Sequence, residues 1–137
     1  TDVLWDVDYL LVDMPPGTGD VTLSVFQSIP LSGIVVVASP QELVGMVVEK
    51  AVKMAEKMAV PIVGLVENMS YLTCPDCGRK IYLFGEGRCA EAAKKHDIPL
   101  LAQMPIDPQL AALTDEGRIE EFKGDWLADT VTALEAR

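Results

Sequence analysis

Two cysteines with two residues between them, Cys74-Pro75-Asp76-Cys77, followed by Gly78, place two thiols on one tight turn. That spacing suits a shared metal or a redox pair in a reducing compartment, and a total of three cysteines is not a disulfide framework. A tetrahedral structural metal site wants four ligands, so the pair is half a site. Cys89 and His96 are the other candidates, and neither forms a second close pair. Cys89 lies in a helical pattern between Arg88 and Ala90 and reads as core. His96, beside Lys94 and Lys95 near a helix end, reads as a surface imidazole. For the pair itself, a metal grip competes with a zinc knuckle whose second half is absent, a redox dithiol, and an inert turn. The redox reading loses ground because the pair does not open a helix after a strand.

A second constellation centres on Asp13. Tyr9-Leu10-Leu11-Val12 runs into this carboxylate, as in a Walker B strand, where the acid organises Mg²⁺ and its waters. Pro15-Pro16-Gly17-Thr18-Gly19 follows. Gly17 and Gly19 lack side chains, so backbone N–H groups there can approach a terminal phosphate, and the next helix adds its positive N-terminus. The plainer reading is a strand-end turn with an N-cap.

These residues need a scaffold, and the chain alternates two kinds of segment. Short apolar runs at residues 9–13, 33–39, 61–68 and 99–104 read as buried parallel strands. Helical patterns fill residues 19–29, 41–59, 85–96, 108–116 and 125–136. Asp20 would N-cap the first. In the second, Val44, Val47, Val48, Ala51, Val52, Ala55 and Met58 form the apolar face. In the last, Trp126, Leu127, Val131 and Leu134 share one side. The alternation predicts an α/β fold with a parallel sheet covered by helices. Residues 69–84, which hold the cysteine pair, are too long for an ordinary connection and read as a functional loop. Ligands of such sheets bind beyond the carboxyl ends of the strands, which directs attention to Asp13, Ser39-Pro40-Gln41, Glu67-Asn68 and Pro105-Ile106-Asp107.

Taken in order, Asp13-Met14-Pro15-Pro16-Gly17-Thr18-Gly19-Asp20, Ser39-Pro40-Gln41-Glu42, Val66-Glu67-Asn68-Met69-Ser70, Cys74-Pro75-Asp76-Cys77-Gly78, Phe84-Gly85-Glu86-Gly87 and Met104-Pro105-Ile106-Asp107-Pro108 resemble the Mrp/ApbC-type iron–sulfur cluster carrier ATPases. These are deviant-Walker P-loop NTPases related to MinD and ParA. The resemblance implies a partial P-loop NTPase-like, mostly parallel sheet flanked by helices, with the N-terminal strands and the Walker A loop missing. Residues 1–137 would be a single C-terminal portion of that ATPase domain, and Thr1 in place of Met fits a truncated chain. A P-loop needs a Gly-rich loop with Lys and Ser/Thr, and the chain has no Gly-Lys pair.

By the same resemblance Asp13 and Gly17 serve ATP and Mg²⁺. Asn68 would hydrogen-bond the adenine edge, for which an amide offers both donor and acceptor. Pro105, Ile106 and Asp107 would flank the ring. Cys74 and Cys77 of two subunits would hold a bridging 4Fe–4S cluster in a homodimer. The implied function is ATP-dependent transfer of that cluster to apo iron–sulfur proteins, with ATP hydrolysis in the full-length protein and an inactive fragment. A MinD/ParA-like ATPase or a zinc-binding module without cluster transfer is the alternative. One departure stands out: Gly87 is followed by Arg88 and Cys89, where the family tends to have a longer glycine run.

Bulk properties set outer bounds. The formal net charge of −10 and pI of about 4.4 argue against broad nucleic-acid binding. Half of the residues are hydrophobic, which excludes disorder by composition. No apolar run is long enough to span a membrane, and no basic leader opens the chain, so a cytoplasmic protein without membrane attachment is expected. The acidic stretch Asp125-Trp126-Leu127-Ala128-Asp129 also lacks the basic amphipathic character of a membrane-binding terminus.

Overall fold

The computed structural model describes residues 6–15 and 19–136. In chain order the elements are α1 (Asp20–Ser28), β1 (Ile34–Ala38), α2 (Val44–Met58), β2 (Ile62–Thr73), β3 (Lys80–Ile81), α3 (Arg88–Lys95), β4 (Leu100–Pro105), α4 (Pro108–Asp115), a 3-10 turn (Ile119–Glu121) and α5 (Ala128–Glu135). β2 is the central strand, parallel to β1 on one side and to β4 on the other. The short β3 folds back antiparallel on the far end of β2. The result is the α/β arrangement that the alternation predicts, a mainly parallel sheet with helices against it.

The core forms where α2 and α3 meet the sheet. Val48 and Leu65 are fully buried, with Val36, Ala38, Val44, Val52, Cys89, Ala92 and Ala93 around them. Burying a side chain the size of Leu65 contributes roughly 1.5–3 kcal/mol. The β2–β4 contact is close because Gly64 has no side chain: a Cβ there would meet Leu101 Cγ at 2.5 Å and the Pro99 carbonyl oxygen at 2.8 Å. α2 stops at Ala59, which takes a left-handed φ of 54° and returns its N–H to Ala55 and Glu56.

Several sequence expectations change in detail. Gly19, not Asp20, is the N-cap of α1, and Asp20 is its first helical residue, where an acid still complements the helix dipole. α2 starts at Val44 because residues 39–44 are spent in a turn closed by Gln41 N–H to Ser39 O and Val44 N–H to Gln41 O. Val47 is 47% exposed, so the buried stripe of α2 is narrower than its apolar face. In α5 the buried residue is Thr130, while Val131 and the N-cap Leu127 are exposed and the Trp126 ring meets Phe122 at a tilt, 5.3 Å between centroids.

The largest departure is at residues 9–13, which form no strand. Leu11 is 80% exposed and Tyr9 61%. A strand needs a neighbour for its backbone N–H and C=O groups, and no described strand lies beside this segment. Instead a cleft of about 700 Å³ separates residues 8–12 from residues 29–33 at the start of β1, with Val63 and Leu134 also on its wall. The outer edge of β1 is unpaired among the described residues.

Candidate functional site

β2 is the element on which most of the candidate residues depend. After an earlier register shift between Leu65 and Val66, Glu67 pairs with Gln103 of β4, and the next paired residues are Tyr71 and Pro105. β2 therefore carries extra residues over this stretch, a bulge at Asn68, Met69 and Ser70. Met69 adopts a left-handed φ of 56°, unusual for a residue with a Cβ. The Asn68 side-chain oxygen accepts the Met69 N–H at 2.9 Å, a local turn bond that leaves the amide NH₂ of this half-buried residue to donate.

Beneath the bulge lies a polar network. Gln103 Nε2 donates to Glu67 Oε2 at 2.6 Å and lies 3.4 Å from Ser70 Oγ. Glu67 is 1% exposed and Ser70 fully buried. Cys89, on α3, faces the same carboxylate. Burial first, and then the charge and hydrogen bonding of Glu67, push its thiol up to about 12. The sequence reading of Cys89 as a packed core residue agrees with this. The network itself was not anticipated: Glu67 read as a strand-end acid. The available signal was a carboxylate directly after Leu65-Val66 in an apolar strand, which needs a donor if the strand stays buried.

Beyond β4, Ile106 N–H donates to the Tyr71 carbonyl at 2.7 Å, so residues 105–107 are tied to β2 just past the bulge. Asp107 is the N-cap of α4. Its Oδ1 accepts the N–H groups of Gln109 at 2.7 Å and Leu110 at 3.4 Å, and Pro108 fills the first turn. Asn68, Pro105, Ile106 and Asp107 thus stand at the same end of the sheet.

The cysteine pair tops a ribbon that continues β2. What read as a long loop is in its first part strand: Leu72 pairs with Ile81 and Thr73 with Lys80. Cys74 N–H donates to Arg79 O at 2.9 Å, Gly78 N–H returns to Cys74 O at 2.9 Å, and Gly78 turns the chain with φ of 70°. Lys80 Nζ sits 4.1 Å over the Tyr71 ring, and Tyr82 lies 6.0 Å from it. Such a cation–π contact adds about 0.5–1 kcal/mol at an exposed site. Within the turn the backbone N–H groups of Cys77 and Asp76, and then the Cys77 thiol, hold the Cys74 thiol below its ordinary value. A lowered thiol is readier to bind metal, because the thiolate is the ligand. All three cysteines are free, Cys74 half-buried and Cys77 exposed.

No group of three or more metal-ligating side chains occurs among the described residues. Cys89 and His96 do not complete the pair. His96 is half-buried at the C-cap of α3, not a surface imidazole as its lysine neighbours suggested, and its Nε2 is enclosed without a partner. Asp13 is exposed and belongs to no strand. Gly17 lies outside the described residues.

Comparison with known proteins points to the same family. A family profile described as ParA, NUBPL iron-transfer P-loop NTPase, matches residues 1–134. An iron–sulfur cluster carrier protein of Clostridium perfringens is 43% identical over 122 residues, 88% of this chain and 43% of that protein. One from Pyrococcus furiosus is 46% identical over 117 residues, 85% of this chain and 40% of that protein. One from Escherichia coli is 44% identical over 117 residues and is covered to 32% of its length. A nucleotide-binding protein of Archaeoglobus fulgidus, solved in complex with ADP, superimposes with a TM-score of 0.81 at 50% identity, covering 88% of this chain and 50% of that one. The chain thus spans half or less of each of these relatives. With a profile matched over nearly all its residues, a nucleotide-binding structural neighbour and the six motifs in order, the chain belongs to the ParA-like family of NUBPL iron-transfer P-loop NTPases.

Proposed function

We propose that this chain is the cluster-holding and base-recognising portion of an ATP-dependent iron–sulfur cluster carrier that passes its cluster to apo proteins. The observation that carries the reading is the turn at Cys74 and Cys77, where backbone N–H groups favour a thiolate at the tip of a ribbon. Two thiols from one chain are half of a four-thiolate site, and a twofold homodimer supplies the other half. The cluster is cargo, held between subunits and released to acceptors. The exposed Ile81, Leu83 and Phe84 give the ribbon an apolar flank suited to such contacts.

On the nucleotide side, Asn68 would meet the adenine edge and Pro105, Ile106 and Asp107 the ring, with Asp13 and Gly17 serving Mg²⁺ and phosphate. The edge of β1, unpaired among the described residues, and the cleft beside residues 8–12 support a partial P-loop sheet, in which one further strand stands between them and carries the phosphate loop. Asp13 would then end a paired strand. No helix is long and apolar enough to cross a membrane among the described residues. We place the carrier in the cytoplasm, where its thiols stay reduced.

Sedimentation of the reduced chain before and after anaerobic loading with iron and sulfide tests the shared site. Loading is expected to convert monomer to dimer, since the cluster's binding energy is linked to assembly. A loaded chain that sediments as a monomer would contradict the bridging arrangement.

A further inference from the structure

Asn68 lies in β2, the cysteine turn follows directly on the end of that strand at Thr73, and the β2–β4 pairing between Glu67 and Tyr71 is broken by the bulge. Both feet of that bulge touch the same side chain. Glu67, just before it, accepts from Gln103 Nε2 at 2.6 Å, and Ser70, its last residue, lies 3.4 Å from the same nitrogen. Between them Met69 holds a left-handed φ of 56° and Asn68 closes the local turn on the Met69 N–H. Such backbone persists where its surroundings over-determine it, and a bulge re-aims the side chains it carries. The network is also sealed, with Glu67 and Ser70 almost without solvent contact and Cys89 packed from α3.

We propose that Gln103 is a positioning residue that joins the two halves of the site: by stapling both feet of the bulge, it makes the placement of Asn68 and the placement of the Cys74–Cys77 turn a single conformational variable. If the ribbon tilts when the thiols bind metal, Ser70 and Tyr71 move with it. Gln103 cannot follow Ser70 and keep Glu67 unless the bulge, and Asn68 with it, moves too. Without Gln103 the ribbon and the base-contacting residue shift independently. By linkage, whatever occupies Asn68 then biases the cysteine turn by the same free energy with which the cysteine turn biases Asn68. This rests on the proposed function for what binds at each end, but the mechanical link does not.

The reverse direction of that linkage is measurable in the 137-residue chain with zinc alone as a diamagnetic thiolate probe. In nitrogen-15 correlation spectra of the reduced protein, zinc should shift the Cys74 and Cys77 amides, and with them the Met69 amide and the Asn68 side-chain NH₂. In Gln103→Leu zinc should still bind at the cysteines, but the response at Asn68 and Met69 should be lost. Because Gln103→Leu leaves a buried carboxylate unpaired, Glu67→Met/Gln103→Leu removes both partners together and keeps the test valid if the single variant unfolds. Zinc bound at the cysteines with Asn68 unmoved in the unsubstituted chain overturns the inference and spares the reading of the cysteine pair. An Asn68 response as large in the substituted chains overturns it as well. Zinc that leaves the Cys74 and Cys77 amides unmoved overturns the cysteine-pair reading, and the inference falls with it.

Discussion

Cys89 on α3 lies against the Glu67 carboxylate of β2, and its thiol is pushed from 9.0 to about 12 by burial and by that charge. The folded chain therefore holds this proton more tightly than the unfolded chain does. The stability it contributes is fully present below the unfolded value near 9.0 and is lost as pH rises toward about 12. Chemical denaturation from pH 8 to the highest workable pH should show falling stability, and Cys89→Ala should flatten that fall. An unchanged slope in Cys89→Ala would assign the alkaline loss to other groups. The same chemistry orders the thiols: limited alkylation near neutral pH, read by mass spectrometry, should label Cys74 well before Cys89.

The α/β alternation, the positions of β1, β2 and β4 and the core stripe of α2 are legible in the sequence because they follow from local apolar periodicity and strand-length runs. Cys89 as core was equally legible. Residues 9–13 form no strand here although their pattern encodes a buried one, because strand formation also needs an adjacent strand, which a local pattern does not contain. The bulge at Asn68 and the Gln103 staple were invisible for a related reason. Glu67, Ser70 and Gln103 are far apart in sequence or unremarkable in composition, and only the β2–β4 register brings them together. The half-buried place of His96 likewise depends on how α3 meets α2, not on the lysines beside it.

Asp107 has two claims on it, as the N-cap of α4 and as a contact of the proposed base site. Asp107→Ala removes bonds to Gln109 and Leu110 N–H and should cost about 1 kcal/mol of stability. Asp107→Ser keeps a capping oxygen and should recover most of it. Thermal melts of the two variants decide the matter, and equal melting points for Ala and Ser would show that the cap is not what stabilises this end of α4.

The chain carries Asp13 without a Gly-Lys phosphate loop, so it should show no measurable ATP hydrolysis. Phosphate release that disappears in Asp13→Ala would contradict this. Where the phosphate loop is supplied in one polypeptide with this chain, Asp13→Ala should abolish turnover with the fold intact, and unimpaired turnover would remove Asp13 from the Mg²⁺ site.

The most direct test of the account is anaerobic reconstitution with iron and sulfide, followed by iron analysis and visible spectroscopy of four proteins. The unsubstituted chain should take up about four irons per dimer with a broad visible absorption. Cys74→Ser and Cys77→Ser should each lose it, because one substitution deletes two ligands from a symmetric site. Cys89→Ser should keep it, since Cys89 is buried against Glu67 and away from the turn. Iron binding that survives both turn substitutions but is destroyed by Cys89→Ser would contradict the assignment and reduce the Cys-Pro-Asp-Cys turn to a structural element.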